Sequence, residues 1–335
     1  MSRTIGFTAQ DAARVRFGRS CLWETVASIR VLRHPAGHGV HRPWVRRVRP
    51  ELDRLLARVP ERTGAAFALL GDLVGSGALG HYMPDLLTPP PVSLEPSLAA
   101  ELEQLAGTPA EVVRSQLAYL RDRWTPRLQA MADDPAGWLA RLADVVASYW
   151  EVALAPDWSR VSAVADAEVF HRARQQAADG TSALLNDLHE RVGWDGRQLT
   201  VSGTRCLGAR DLEGGGLCLV PSVFVWPTVL VVADEQTAQL AFPCRGIGTL
   251  WEADESGPPG ALEEVLGRSK ARLLAVLQAP LSTTEAAARV ELSVSTASEH
   301  LTALRAAGLV RTHRTGRRTL HVRTAAGDSL ISASP

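Results

Sequence analysis

Long hydrophobic runs, paired cysteines and lysine are all scarce in this chain of 335 residues. No apolar stretch approaches the ~20 residues that cross a bilayer, and the N-terminus has no basic stretch followed by an apolar one. These absences predict a cytoplasmic protein with no transmembrane segment and no secretion signal. The four cysteines form no Cys-x-x-Cys pair, which argues against a zinc knuckle or a disulfide framework. Lys270 is the single lysine among 36 basic residues, a skew typical of high-GC bacterial genomes.

The composition is that of a globular protein whose charge is unevenly distributed. Hydrophobic residues make up 46% of the chain and charged residues 21%, and the length suffices for two or three domains. The formal net charge is zero, but residues 261–335 hold ten basic against six acidic side chains. Six arginines and no acidic residue lie between Arg305 and Arg323, counting both ends. Such a local excess of positive charge is typical of a surface that binds nucleic acid.

Apolar spacing predicts helices over most of the first 192 residues. The predicted helical segments are residues 20–32, 51–59, 98–106, 110–131, 136–154 and 158–192, and Pro126 is expected to kink or end one of them. Two stretches that contain proline, residues 34–44 and 84–91, predict a loop and an extended segment. We therefore assign residues 1–192 to an α-rich region for sensing and dimerisation.

The periodicity changes to that of strands beyond residue 193. Short apolar segments at residues 199–201, 217–219, 223–225, 228–232 and 239–242 are separated by turn residues, which predicts a small antiparallel sheet. An acidic stretch that ends in glycine and proline, residues 252–260, predicts a linker. The predicted organisation is therefore a β region at residues 193–255, packed on the helices, and a separate C-terminal domain at residues 261–330.

Three predicted helices of the C-terminal domain have the spacing of a helix-turn-helix. The first covers residues 268–277, and the second begins at a capping box formed by Ser282 and Glu285. The third is expected to bury apolar residues at helical spacing, namely Val294, Ala297, Leu301 and Leu304. Its outer face is short and polar, which suits insertion into the roughly 12 Å wide major groove of DNA.

A hairpin of two strands is predicted after the third helix. Gly308 suits the position after a helix C-terminus, and residues 311–312 and 319–322 predict strands around a turn at Thr315 and Gly316. Arginines beside such a turn, or wing, contact phosphates bidentately. We therefore predict double-stranded DNA as the partner of this domain. The predicted contacts are Ser293, Ser295, Thr296, Ser298, Glu299, His300, Thr302, Arg305, Arg311, Arg314, Arg317 and Arg318.

Residues 281–322, LSTTEAAARVELSVSTASEHLTALRAAGLVRTHRTGRRTLHV, resemble the winged helix-turn-helix of the arsenic-repressor (ArsR/SmtB) family. The resemblance implies a homodimer whose third helices enter successive major grooves while the wings contact the backbone or the minor groove. Metal sensors of that family carry cysteines in or beside the third helix, or histidine and acidic pairs on a C-terminal helix. Because this sequence lacks these ligands, we predict no metal site and no cofactor.

The front of the chain resembles, more loosely, a domain of uncharacterised function that precedes such helix-turn-helix domains in high-GC bacteria. The residues that carry this resemblance are Trp23, Glu24, Ser28, Arg30, His41, Pro43, Trp44 and the segments 84–91 and 221–227. The resemblance implies a regulator and leaves its signal open. The predicted fold class is mainly α with small β elements: an α-rich body with a small antiparallel sheet, and a C-terminal winged helix-turn-helix.

The predicted function is DNA-binding transcription regulation by a homodimer that responds to an unknown small-molecule effector, without enzymatic activity. Two alternatives remain open. One is an enzyme in the N-terminal region with a regulatory helix-turn-helix, although no nucleophile, acid pair or cofactor fingerprint supports it. The other is a winged helix used for protein contacts, which predicts that acidic side chains of the body neutralise the wing arginines.

Several clusters in the N-terminal region have both a functional and a structural interpretation. His34, His38 and His41 either converge on a metal ion or, more commonly, belong to a hydrogen-bonded loop. A basic run either extends the DNA-binding surface or, more commonly, is a solvated or acid-paired helix start, and it consists of Arg42, Arg46, Arg47 and Arg49.

A glycine run and four tryptophans also have both a functional and a structural interpretation. Residues 214–216 are three glycines without the lysine of a phosphate-binding loop, so we predict a hairpin turn. Four tryptophans either line an apolar ligand pocket or, more commonly, belong to the core, and they are Trp124, Trp138, Trp150 and Trp158.

Overall fold

The computed structural model describes residues 2–75, 83–91, 93–203, 208–212, 214–233, 238–251, 260–277, 280–315 and 318–332. Contacts between residues divide the chain into two compact units, Met1–Trp251 (unit 1) and Glu252–Pro335 (unit 2). All nine tryptophans belong to unit 1. Within the described ranges, no helix has the length and hydropathy of a transmembrane span. A further division of unit 1 at residue 192 stays a prediction.

Helices form most of unit 1. They are α1 (Ala9–Ala13), α2 (Cys21–Arg33), α3 (Arg42–Leu56), α4 (Glu61–Val74), α5 (Leu98–Ala106), α6 (Ala110–Leu117), α7 (Pro126–Asp133), α8 (Pro135–Ala153) and α9 (Trp158–Asn186). Short 3-10 turns lie at Pro35–Gly37, Gly39–His41, Asp85–Leu87, Ala118–Arg123 and Ala155–Asp157. The main core surrounds α2, where Trp23 from that helix and Trp44 from α3 are fully buried.

Prolines account for two differences from the predicted structure and for one break that was expected. Helix α3 begins within the predicted loop at 34–44, because Pro43 lies in its first turn, where a missing N–H costs no helical hydrogen bond. The break expected at Pro126 is present, since Pro126 begins α7 and Thr125 caps it by accepting a hydrogen bond from the Leu128 N–H at 3.3 Å. The segment predicted to be extended at 84–91 contains a 3-10 turn directly after Pro84.

Unit 1 also contains two four-stranded sheets. Their strands are β1 (Ser2–Gly6), β2 (Arg16–Phe17), β3 (Val192–Trp194), β4 (Gln198–Ser202), β5 (Gly208–Asp211), β6 (Leu217–Ser222), β7 (Leu230–Ala233) and β8 (Ala238–Pro243). The strand orders are β3-β4-β1-β5 and β2-β6-β8-β7. The pairs β1–β5, β2–β6 and β6–β8 are parallel and the other pairs antiparallel. The fold class, mainly α with small β elements, is confirmed.

The sheets differ from the prediction in three details. Each sheet includes a strand from the first 17 residues, which belong to the predicted α-rich region 1–192. The prediction of a strand at 223–225 is wrong, because the carboxylate of Glu24 accepts hydrogen bonds from the N–H groups of Val223 and Phe224 and holds these residues in a turn. The prediction of a hairpin at the three glycines is also wrong, since β5 and β6 lie in different sheets.

Unit 2 has an aliphatic core between helices and a small sheet. Its elements are α10 (Gly260–Leu266), α11 (Arg268–Val276), β9 (Leu281–Ser282), α12 (Thr283–Arg289), α13 (Val294–Ala306), β10 (Val310–Thr315), β11 (Arg318–Arg323) and α14 (Ala325–Ser332). The sheet order is β10-β11-β9 with antiparallel pairs. Leucines of α11 and α13, among them Leu273 and Leu301, pack with alanines of α12 in this core.

Candidate nucleic-acid interface

The capping box predicted at the start of α12 is present. The hydroxyl of Ser282 accepts a hydrogen bond from the Glu285 N–H at 3.2 Å, and the Glu285 carboxylate accepts one from the Ser282 N–H at 2.7 Å. These bonds satisfy backbone donors that the first helical turn leaves without partners. Helix α12 therefore has a defined start beside strand β9.

A tight turn sets the direction of α13 relative to α12. Glu291 has a φ of 56°, in the left-handed region, and the Leu292 N–H donates to the Ala287 carbonyl at 3.0 Å. Ser293 then caps α13 by accepting a hydrogen bond from the Thr296 N–H at 3.1 Å. The hydroxyls of Ser295 and Thr296 each lie 2.8 Å from the Ser293 hydroxyl, so three hydroxyls cluster at the N-terminus of the helix.

Helix α13 has one buried face and one exposed face. Ala297, Leu301 and Leu304 are buried as predicted. Val294 is 50% exposed, so its predicted place in the core is wrong. Val294 directly follows the cap residue Ser293, and the first buried residue of the helix is Ala297. The predicted contacts Ser293, Ser295, Ser298, Glu299, Thr302 and Arg305 are exposed, whereas Thr296 and His300 are half-buried.

The exposed face of α13 combines hydroxyls with charged groups that are free to bind a partner. The Thr302 hydroxyl donates to the Ser298 carbonyl at 2.9 Å. No described residue forms an ion pair or hydrogen bond with the side chains of Glu299 and Arg305. Hydroxyl, carboxylate and guanidinium groups are those that contact base edges and phosphates in DNA complexes.

The wing is present as an antiparallel pair of strands. β10 and β11 pair from Val310 opposite Arg323 to Thr315 opposite Arg318. Arg311 is exposed on β10, and Arg314 lies on the same strand opposite Thr319. Residues Gly316 and Arg317 lie outside the described residues, so the proposed turn and the neutralisation of the wing by acidic side chains stay predictions.

His321, which is not among the predicted contacts, connects the wing to helix α12. The buried His321 ring on β11 lies 3.1 Å from the Thr283 hydroxyl through Nε2 and 3.1 Å from the Thr312 hydroxyl through Nδ1. Burial is the main cause that lowers the pKa of His321, followed by the positive charge of Arg305. The signal for this role is a polar residue at a strand position that faces the core.

Two of the three clustered histidines of unit 1, His38 and His41, have hydrogen-bonding partners. The His38 Nδ1 donates to the Trp226 carbonyl at 2.7 Å, and the His41 Nδ1 accepts from the indole of Trp251 at 2.9 Å. His41 also stacks on Phe224, with 4.9 Å between ring centroids. Among the described residues there is no group of three side chains suited to hold a metal ion.

Two arginines of the basic run and two of the four tryptophans make structural contacts. Arg47 pairs with Asp157, and Arg49 donates to the Leu32 carbonyl. Trp150 is buried and packs against Trp158 with 4.6 Å between ring centroids. These contacts favour the acid-paired interpretation for Arg47 and the core interpretation for Trp150 and Trp158, whereas Arg42, Arg46 and Trp124 are exposed.

Comparison with known proteins agrees with the geometry of unit 2. A family model described as a helix-turn-helix domain matches residues 260–313, about a sixth of the chain. Neither the search of curated proteins nor the search of solved structures finds a match. The match covers α10 to α13 and the first residues of β10. Residues 260–313 are a helix-turn-helix domain, the DNA-binding element of transcription regulators.

Proposed function

We propose that this chain is a homodimeric transcription regulator of the ArsR/SmtB type, which binds double-stranded DNA through α13 and the wing. The observation that carries the proposal is the exposed polar face of α13, capped by Ser293 and held on an aliphatic core by Ala297, Leu301 and Leu304. A helix presented in this way places its N-terminal residues against base edges in the major groove. Arg305 and the wing arginines are expected to contact phosphates.

Unit 1 is proposed to be the sensor and to lack enzymatic activity. An effector that binds unit 1 more tightly in one dimer arrangement shifts the population of arrangements and thereby the spacing of the two α13 helices. Each tenfold preference between two arrangements corresponds to about 1.4 kcal/mol. The dimer is tested by sedimentation at micromolar concentration, where a monomer mass would contradict this part of the proposal.

DNA binding is tested by fluorescence anisotropy on the full chain. The two probes are DNA from upstream of its own gene and random DNA of equal length, each at two salt concentrations. We expect selective binding that weakens steeply with salt, because neutralised phosphates release counterions. Absence of binding at low salt, or equal binding to both DNAs, would contradict the proposal.

Two kinds of variant distinguish phosphate contacts from base contacts. Arg305→Ala and Arg317→Ala should weaken binding to all sequences and lower the salt dependence by about one unit of slope. Ser295→Ala should instead change which bases are preferred. Arg121→Ala, at an exposed arginine of unit 1, is the charge-matched control and should leave both properties unchanged. Equal losses on specific and random DNA for the arginine and serine variants would overturn the assignment.

A further inference from the structure

A cavity of about 460 Å³ lies in unit 1 beside the C-terminal half of α2. Its walls are formed by α2, by the 3-10 turn Pro35–Gly37 and by the segment between β6 and β7. This volume lies within the range of roughly 300–1,000 Å³ that small-molecule sites occupy. The cavity is therefore large enough for a small organic ligand.

The wall opposite α2 is anchored by hydrogen bonds. The Glu24 carboxylate accepts from the Val223 N–H at 2.7 Å and from the Phe224 N–H at 3.2 Å. The His38 Nδ1 donates to the Trp226 carbonyl at 2.7 Å. Both ends of the turn after β6 are thus tied to the helical side of the cavity. The cavity is preformed, so a ligand would not have to order its walls.

All ionisable side chains that line the cavity are basic. Arg30, Arg33, His34 and His38 line it, and among the residues that the structure describes no carboxylate does. The half-buried guanidinium of Arg30 has no ion pair or hydrogen bond with a described residue. Burial lowers the pKa of Arg30, and burial followed by the charges of Arg33 and Arg30 lowers the pKa of His34.

Two buried arginines of unit 1 have the acidic partner that Arg30 lacks. Arg19 is 8% exposed and pairs with Asp166 at 2.6 Å, and Arg172 is 4% exposed and pairs with Glu168 at 2.7 Å. His34 adds a second polar group without a partner, because its Nε2 is buried and makes no hydrogen bond in the described structure. Removing cations and polar atoms from water without partners is unfavourable, so an anion at this place would supply the missing interactions.

Apart from the hydroxyl of Thr228, which bonds to Arg191 and to the Val229 carbonyl, the remaining lining is apolar and includes Phe224, Val225 and Leu230. We propose that the cavity binds a small organic acid whose carboxylate pairs with Arg30 and whose apolar group packs against these three side chains. A guanidinium and a carboxylate form two parallel hydrogen bonds, which orient the ligand as well as attract it. The binding itself is independent of the proposed function. A role for this acid as the effector of the regulator rests on that function.

Calorimetric titration of the full chain tests the site with benzoate and hexanoate as probes. Benzamide and hexanamide are the neutral counterparts of the same shape. We expect the two acids to bind and the two amides to bind at least about tenfold more weakly, since a hydrogen bond to a charged group is the stronger kind. Arg30→Gln should weaken binding of the acids by at least about tenfold. Arg46→Gln, at an exposed arginine of α3, should leave it unchanged.

A second variant keeps the test available if Arg30→Gln does not fold. Leu230→Glu places a carboxylate in the cavity wall, where it should pair with Arg30 and abolish binding of the acids. The site is overturned if neither acid binds the wild type, if the amides bind as tightly as the acids, or if a folded variant at either position binds the acids unchanged.

The effector role is measured separately, as DNA affinity with and without the bound acid. A changed affinity supports the role. An acid that binds while DNA affinity stays constant, or while DNA does not bind at all, overturns the effector role alone and leaves the site in place.

Discussion

The indole Nε1 of Trp251 donates a hydrogen bond to the Nδ1 of His41 at 2.9 Å, and both rings lie against Phe224. His41 is completely buried. Burial, followed by the charge of His38, lowers the pKa of His41 to about 3. Because Nδ1 already accepts a hydrogen bond, protonation there would replace an acceptor by a second donor. The folded protein therefore holds this histidine neutral.

The free energy of unfolding should consequently fall as the pH is lowered below 6.5. In the unfolded chain His41 takes up a proton near its usual pKa of about 6.5, whereas in the folded chain it does not. This difference removes about 2 kcal/mol of stability between pH 7 and pH 5. The loss is measured by urea unfolding followed by tryptophan fluorescence, which reports on unit 1 alone.

His41→Asn separates this residue from the other histidines whose pKa is lowered. The asparagine amide oxygen replaces Nδ1 as acceptor for Trp251 and does not titrate. The stability difference between wild type and variant should shrink by about 2 kcal/mol from pH 7 to pH 5. Parallel stability curves for the two proteins would contradict the assignment.

Arg172 ties together the two parts of α9, which bends at Gly180 with a φ of 83°. Its guanidinium pairs with Glu168 at 2.7 Å before the bend and with Asp187 at 2.6 Å after it. Arg172→Met should cost about 3 kcal/mol of stability, because it leaves the buried Glu168 without its buried partner. Arg245→Met is the matched control, since Arg245 pairs with the same carboxylate but is 51% exposed, and it should cost about 1 kcal/mol or less. Equal losses in fluorescence-monitored unfolding would contradict this account.

The capping box of α12 should stabilise the helix-turn-helix domain locally. Ser282→Ala removes the acceptor for the Glu285 N–H and should cost about 1 kcal/mol, which corresponds to about fivefold faster amide exchange in α12. Hydrogen exchange is the suitable measurement, because unit 2 contains no tryptophan. Thr284→Ala, at an exposed position two residues later, should leave the exchange rates nearly unchanged. Similar rates in both variants would show that the cap is not stabilising.

Two apolar residues of α13 should contribute very differently to the stability of unit 2. Leu301 is 1% exposed, and Leu301→Ala should cost about 3 kcal/mol of unit 2 stability. Val294 is 50% exposed, and Val294→Ala should cost less than about 0.5 kcal/mol. Hydrogen exchange of unit 2 measures both effects, and a large loss for Val294→Ala would contradict its exposed position.

Because Val294 is exposed at the N-terminus of α13, we expect it to contact a thymine methyl group in the proposed DNA complex. Replacing operator thymines by uracil one at a time removes these methyl groups. One such replacement should weaken binding of the wild type measurably and leave binding of Val294→Ala unchanged. If wild type and variant respond alike at every thymine, Val294 makes no such contact.

Local sequence patterns are sufficient to predict an element when contacts between neighbouring residues determine its structure. The capping box at Ser282 and Glu285, the glycine after α13 and the alternation in the wing depend on contacts within a few residues, and all were predicted. The same holds for α5, whose predicted and observed bounds agree. For these elements the intrinsic preferences of residues and the period of the apolar pattern coincide with the native structure.

Contacts between residues far apart in the sequence determine the sheets, the turn after β6 and the cavity. Strands β1 and β2 pair with segments about 200 residues away, and Glu24 turns residues 223–224 away from strand pairing over a similar separation. The cavity beside Arg30 likewise combines α2 with the turn after β6. The sequence by itself therefore determined the helix-turn-helix and its polar face, because these depend on short-range periodicity and capping. Only the tertiary structure decided the mixed sheets and the basic cavity, because burial and partnering of a side chain depend on residues that no local pattern specifies.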